Sequence, residues 1–252
     1  MLIDRHAEIV ELAKRQGGVA VDDLSARFKV SVQTIRKDLN ELCDRGTLKR
    51  VHGGAVFPSS VENMEYEARR RIAAGEKEAI GRAAAALIPN DASVFVNIGT
   101  TTEAVSKALI DHDGLMVITN NINVANRLRV YPGVEVVIAG GIVRASDGGI
   151  VGEAAVDFFR QFKADYAVIG ASALDADGAL LDFDFREVKV AQAIIANARH
   201  VILVADSTKF NRTAPVRIAA MSQLGTFVTD RCPEPVRRIC ASVGVRLIET
   251  AR

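Results

Sequence analysis

Apolar residues recur at helical spacing three times within the first fifty positions. Ile9, Leu12 and Ala13 mark a helix that runs from about Asp4 until Gly17-Gly18 stops it, and Leu24 and Phe28 mark a short second helix opened by Asp22. Ser31 then offers a hydroxyl to the unpaired first N–H groups of a third helix. In that helix Ile35, Leu39 and Leu42 share one face, Gln33, Thr34, Arg36, Lys37 and Asn40 project from the other, and Gly46 ends the run. Leu48 to Val51 and Ala55 to Phe57, joined by Gly53-Gly54, read as a β-hairpin. Three short helices followed by a hairpin predict a winged helix-turn-helix over residues 1–57. From Pro58-Ser59-Ser60 to Arg69-Arg70-Arg71 the periodicity fades, so a linker is expected over 58–75.

The pattern changes beyond a helix from about Glu76 to Ile88. Short aliphatic runs at 93–97, 116–119, 134–139, 165–170, 200–205, 225–229 and 245–248 alternate with helical segments, which predicts a mostly parallel α/β sheet over 76–252. Polar residues or glycines close these runs: Asn97, Asn120-Asn121, Gly140-Gly141, Ser172, Asp206 and Asp230. Ligands of open α/β sheets bind at the carboxyl ends of strands, so these positions form the candidate site.

Composition narrows the class. With 49% hydrophobic and 25% charged residues over 252 positions, the chain has the makeup of a globular protein with a sizeable core. Net charge is only +1, but between Arg27 and His52 seven basic residues face three acidic ones, on and around the third helix. The odd set Cys43, Cys232 and Cys240 has no metal-ligand spacing and argues for a reducing compartment. No signal-type or membrane-length apolar run occurs, so the expectation is a cytoplasmic protein without a membrane, metal or cofactor partner.

Two constellations carry chemistry. Gln33 and Asn40 are of the type that bonds adenine edges, and Arg36 and Lys37 of the type that reads guanine or neutralises phosphate; with Ser31, Thr34 and the hairpin residues Lys49, Arg50 and His52 they form the expected contact set for double-stranded DNA. The plainer alternative is a three-helix bundle with a charged surface. The second constellation is Gly99-Thr100-Thr101-Thr102, between the run Ser93 to Val96 and a helical pattern. A glycine turn there delivers helix N–H groups, the positive dipole end and three hydroxyls to one anion. The plainer alternative is a capped helix start. Asn120, Asn121, Glu187 and Lys209 complete the expected effector site. Gly140-Gly141 and Gly148-Gly149 lack the G-x-G-x-x-G spacing of a dinucleotide loop, and Gly170-Ala171-Ser172 lacks the second glycine of a nucleophile elbow. A rival reading is a sugar-phosphate isomerase or deaminase in which Glu187 or the Asp182/Asp184 pair acts as base.

Segments spread over nearly the whole chain resemble the DeoR family of bacterial transcriptional repressors. They are Val30-Ser31-Val32-Gln33-Thr34-Ile35-Arg36-Lys37-Asp38-Leu39-Asn40-Glu41-Leu42, His52-Gly53-Gly54-Ala55, Ile98-Gly99-Thr100-Thr101, Thr119-Asn120-Asn121, Ala139-Gly140-Gly141, Asp147-Gly148-Gly149-Ile150-Val151-Gly152-Glu153-Ala154 and Asp206-Ser207-Thr208-Lys209-Phe210. The resemblance implies a repressor of a carbon-metabolism regulon, with a sensor domain akin to sugar-phosphate isomerases. It also implies a small phosphorylated effector, glycerol-3-phosphate or a sugar phosphate, held by the Gly-Thr-Thr turn, and a homo-oligomer. The chain departs from the family pattern at Asn97, where Asp is common, and at Ala191, where Lys is common. Loss of the carboxylate eases anion binding, whereas loss of the lysine removes any contact it makes.

Overall fold

The computed structural model describes residues 2–57 and 63–251. The chain divides into two compact units, Met1–Ala74 and Gly75–Arg252.

The first unit runs α1 (Leu2–Gln16), β1 (Gly18–Ala20), α2 (Val21–Phe28), α3 (Val32–Asp44), β2 (Lys49–Val51), β3 (Gly54–Val56) and α4 (Tyr66–Arg71). Its core is built from the stripes expected of the three helices: Ile9, Leu12, Ala13, Leu24, Ile35, Leu39 and Leu42, closed by Leu48. The hairpin pairs Lys49 with Val56 and Arg50 with Ala55.

Three details depart from expectation. Gly18–Ala20 is a strand on the far side of β3, where the sequence shows only a helix stop followed by three small residues. Helix α2 starts at Val21 behind Ala20, whose side chain makes no cap, and Asp22 sits in the first turn, where the helix dipole favours a carboxylate. The linker expected over 58–75 contains α4, within the first unit. Met64, Ala68 and Ile72, at helical spacing among charged residues, are its buried side. The Pro58-Ser59-Ser60 start of that linker lies outside the described residues.

The second unit is entered through α5 (Ala74–Ala85). There follow β4 (Ser93–Val96), α6 (Thr100–Ala108), β5 (Leu115–Thr119), α7 (Ile122–Leu128), β6 (Val134–Ile138), β7 (Ile142–Val143), β8 (Ile150–Val151), α8 (Glu153–Phe159) and β9 (Ala164–Ile169). The chain continues with β10 (Ala173–Leu174), β11 (Ala179–Asp182), α9 (Phe185–Ala196), β12 (Ala198–Val204), β13 (Val216–Ala220), β14 (Thr226–Thr229), α10 (Glu234–Val243) and β15 (Arg246–Glu249). The main sheet has the order β15-β14-β12-β9-β4-β5-β6, and its pairs are parallel. Alternation along the strands feeds two cores. Val94 and Val96 join Ile80, Ala84, Val105, Leu109, Val124 and Leu128 of α5, α6 and α7. Phe95 turns to the other face with Val156, Phe159, Val190 and Ile194 of α8 and α9, and meets Phe159 edge to face at 5.2 Å between ring centroids.

Strand order reverses at β4: β5 and β6 extend to one side, while β9, β12, β14 and β15 extend to the other. The crevice at the carboxyl ends of β4 and β9 is therefore the topological switch point, where open α/β sheets bind ligands. Two smaller antiparallel sheets, β7-β8 and β10-β11-β13, are formed by strands outside the aliphatic runs of the sequence pattern.

Candidate DNA interface and effector site

Ser31 caps α3 as its sequence suggests: its Oγ accepts from the Thr34 N–H at 3.2 Å and lies 2.9 Å from the Thr34 hydroxyl. Gln33, Arg36, Lys37 and Asn40 are exposed along the helix, and none is engaged in a hydrogen bond or ion pair among the described residues. The opposite side of α3 is anchored. Asp38 is buried and accepts from Arg5 Nε at 2.6 Å, Arg5 Nη2 at 3.0 Å and His6 Nε2 at 3.2 Å, fastening α3 to α1. Burial alone would raise the Asp38 carboxyl; the Arg5 and His6 bonds outweigh it and hold the group below its ordinary range. An exposed polar helix face on an anchored helix is the geometry that enters a major groove.

In the wing, Lys49 and His52 are exposed beside Arg50. Arg50 is partly committed, since its Nη1 donates to the Gly54 carbonyl at 2.9 Å and braces the hairpin.

At the switch point, β4 ends at Val96 and the chain turns through Asn97-Ile98-Gly99 into α6. Gly99 has φ 144° and ψ 150°, a conformation closed to side-chain-bearing residues, and it leaves the first N–H groups of α6 without a side-chain cap. Among the described residues, the hydroxyls of Thr100 and Thr101 make no hydrogen bond. Asn97 is 2% exposed, and its Oδ1 has no hydrogen-bond partner among the described residues. At the end of β12, Asp206 is fully buried beside two buried lysines, Lys209 and Lys77. Burial would raise this carboxyl, but the charges of Lys209 and then Lys77 prevail and lower it.

Three residues of the expected effector set have other work. Thr102 donates its hydroxyl proton to the carbonyls of Asn97 and Gly99, at 2.7 and 2.8 Å, and so ties the turn together. Asn121 caps α7 through Oδ1, accepting from the Asn123 and Val124 N–H groups at 2.9 and 3.4 Å, and gives Nδ2 to Glu103 at 3.1 Å. Glu187 is bound to Arg144 at 2.6 Å, in a cluster where the same guanidinium meets Asp147 at 2.8 Å and Asp184 at 3.1 Å. The bases of the rival enzyme reading are also engaged: Asp184 belongs to that cluster and caps α9, and Asp182, outside it, accepts from the Phe183 N–H at 2.6 Å. Asn120 is intermediate, with Nδ2 on the Ile150 carbonyl at 3.0 Å and Oδ1 buried without a partner.

Sequence reasoning missed Lys77, which is buried with its ammonium 4.0 Å from Asp206 Oδ2. The signal was available: Lys77 lies three and four positions before Ile80 and Gly81, on the apolar stripe that continues to Ala84 and Ile88, so its stem is carried inward. Among the described residues, no group of three or more His, Cys, Asp or Glu side chains is arranged to hold a metal ion, and no helix is long and apolar enough to cross a membrane.

Residues 5–61 match the DeoR-like helix-turn-helix domain, and residues 72–231 match the DeoR C terminal sensor domain. The chain is 47% identical over 232 residues to the glycerol-3-phosphate regulon repressor of Escherichia coli (strain K12), covering 92% of each chain. It is 46% identical to the protein of the same name from Haemophilus influenzae, covering 92% of this chain and 91% of that one. In architecture it is similar to ribose 5-phosphate isomerase A from Methanocaldococcus jannaschii, with a TM-score of 0.41, 13% identity and 55% of each chain covered.

Proposed function

The chain belongs to the DeoR family of transcriptional repressors, and from that premise we propose that it represses a glycerol-3-phosphate regulon and leaves its operator when glycerol-3-phosphate binds the second unit. It is a regulator, not an enzyme, as its relatives are. The operator contacts in this reading are Ser31, Gln33, Thr34, Arg36, Lys37 and Asn40 of α3, with Lys49, Arg50 and His52 of the wing. The effector contacts are Gly99, Thr100 and Thr101, with Asn120 after β5 and Lys209 past the end of β12. The observation that carries the reading is the uncapped start of α6 at the switch point, with two uncommitted hydroxyls, and a buried cation past the end of β12, two strands from β4 in the sheet. Helix N–H groups, hydroxyls and a lysine together bind a phosphate ester, and the polar strand ends beside them suit its hydroxyl groups.

The reading includes a homo-oligomer acting in the cytoplasm, because two first units side by side would meet half-sites about 34–36 Å apart on one face of DNA. Titrating glycerol-3-phosphate into a complex of the protein with fluorescent operator tests it. The expected outcome is loss of operator binding over micromolar to millimolar effector, with ribose-5-phosphate and glucosamine-6-phosphate weaker. Persistence of the complex at millimolar glycerol-3-phosphate would remove that compound as the signal, and release by another sugar phosphate would name its replacement.

A further inference from the structure

Helices α5 and α6 run side by side in the same direction. Gly81 is packed so tightly on α6 that a Cβ there would lie 2.6 Å from the Ala104 carbonyl oxygen and 3.0 Å from the Val105 nitrogen. Past their far ends, His112 Nε2 meets the Ile88 carbonyl at 2.9 Å, and Asp113 and Asp91 are joined backbone to backbone at 3.0 Å. One turn back from the Gly81 contact therefore sets Lys77 on α5 level with Thr100 and Thr101 on α6.

Lys77 is only 3% exposed. Its ammonium is 4.0 Å from Asp206 Oδ2, an oxygen that is buried and makes no hydrogen bond. That separation exceeds a hydrogen bond, so Asp206 Oδ2 attracts the ammonium by charge without bonding it. An anion at the start of α6 can therefore compete with Asp206 for the ammonium.

The same lysine lies close in sequence to the other unit. Ile72 and Ala73 are buried with Val51 and Val56 of the wing hairpin, and Ala73 holds φ at +54°, uncommon for a residue with a side chain. Helix α5 starts at the next residue, and Lys77 follows one turn after Ala73.

We propose that Lys77 is a ligand of the effector's phosphate and the residue that reports its arrival: binding draws the ammonium from Asp206 to the anion, the first turn of α5 follows, and the Ile72–Ala74 segment carries that shift to the wing. This deepens the effector reading and rests on it. Asp206 then serves as the internal counter-charge that Lys77 keeps while no effector is bound.

The test uses the full chain, with glycerol-3-phosphate and inorganic phosphate as probes, titrated by calorimetry into wild type, Lys77→Met, Asp206→Asn and the double variant, each checked by thermal melting. Lys77→Met should bind both probes at least ten-fold more weakly, Asp206→Asn no more weakly than wild type, and the double variant like Lys77→Met. Removing one buried charge of each sign leaves the local net charge unchanged, so the double variant decides the ligand role if Lys77→Met does not fold. Each protein is then saturated with glycerol-3-phosphate and its operator affinity measured. Wild type should fall at least five-fold and the double variant should stay within two-fold of its effector-free value. Probe affinity within two-fold of wild type in the lysine variants would overturn the ligand role, and undiminished release of the saturated double variant would overturn the reporting role; either leaves the effector reading standing. Wild type that binds neither probe would overturn the effector reading itself, and this proposal with it.

Discussion

Single side chains at the two sites differ in whether their polar atoms are already spent. Thr101 is buried with its hydroxyl uncommitted, whereas Thr102 has donated to two carbonyls. Thr101→Val keeps the branched shape, so it should weaken glycerol-3-phosphate binding by about 1.5–3 kcal/mol, the worth of a hydrogen bond to a charged group, with little change in melting temperature. Calorimetry beside a melting curve checks both halves. Thr102→Val should do the reverse, loosening the turn and lowering the melting temperature. Asp38 yields a pH prediction. Its native pKa is lowered, so its contribution to stability is complete above the unfolded value near 4 and is lost as pH falls through the native one. Asp38→Asn should therefore cost about 3 kcal/mol at neutral pH and progressively less in acid, read from denaturant midpoints across the range.

Among the elements, α3 has divided faces: a buried side bolted to α1 and an open side whose Gln33, Arg36, Lys37 and Asn40 make no hydrogen bond or ion pair among the described residues. Replacing Arg36 and Lys37 by Ala should reduce the log–log salt slope of operator binding by about 0.9 for each lost phosphate contact and leave the fold intact. Gln33→Ala should instead narrow the gap between specific and random DNA. Helix α3 was legible because its stripe is strict, its cap is a serine and its far side is polar throughout. The parallel strands were legible because burial on both faces makes them nearly continuous aliphatic runs. Strand β1 was not, since Gly18-Val19-Ala20 is too short and too small to carry a period, and α4 was not, because Met64, Ala68 and Ile72 are thinly spread among charges. The site was partly legible for the same kind of reason. The Gly-Thr-Thr turn is a local motif, but which strand-end residues are already bonded, as Asn121 and Glu187 are, depends on partners 18 and 43 positions away.

At the scale of the whole molecule, two units with separate cores must exchange free energy through the effector and the operator. Linkage sets the terms: a coupling of about 1–3 kcal/mol changes operator affinity roughly 5- to 150-fold, and the operator must weaken effector binding by the same factor. Measuring glycerol-3-phosphate affinity with and without saturating operator DNA should return that equality, and unequal factors would mean that more than these two equilibria are involved. The place of β4 in the sheet has a consequence for how such a signal is seen. β4 and β9 have parallel neighbours on both sides and helical layers on both faces. Their amides can meet solvent deuterium only when the second unit opens as a whole, so they should be the last to exchange. A ligand seated on so stiff a floor has little to freeze there. Its arrival should register as a change in deuterium uptake at Ala73 to Lys77, with protection of Val94 to Val96 altered only as far as the unit's global stability rises.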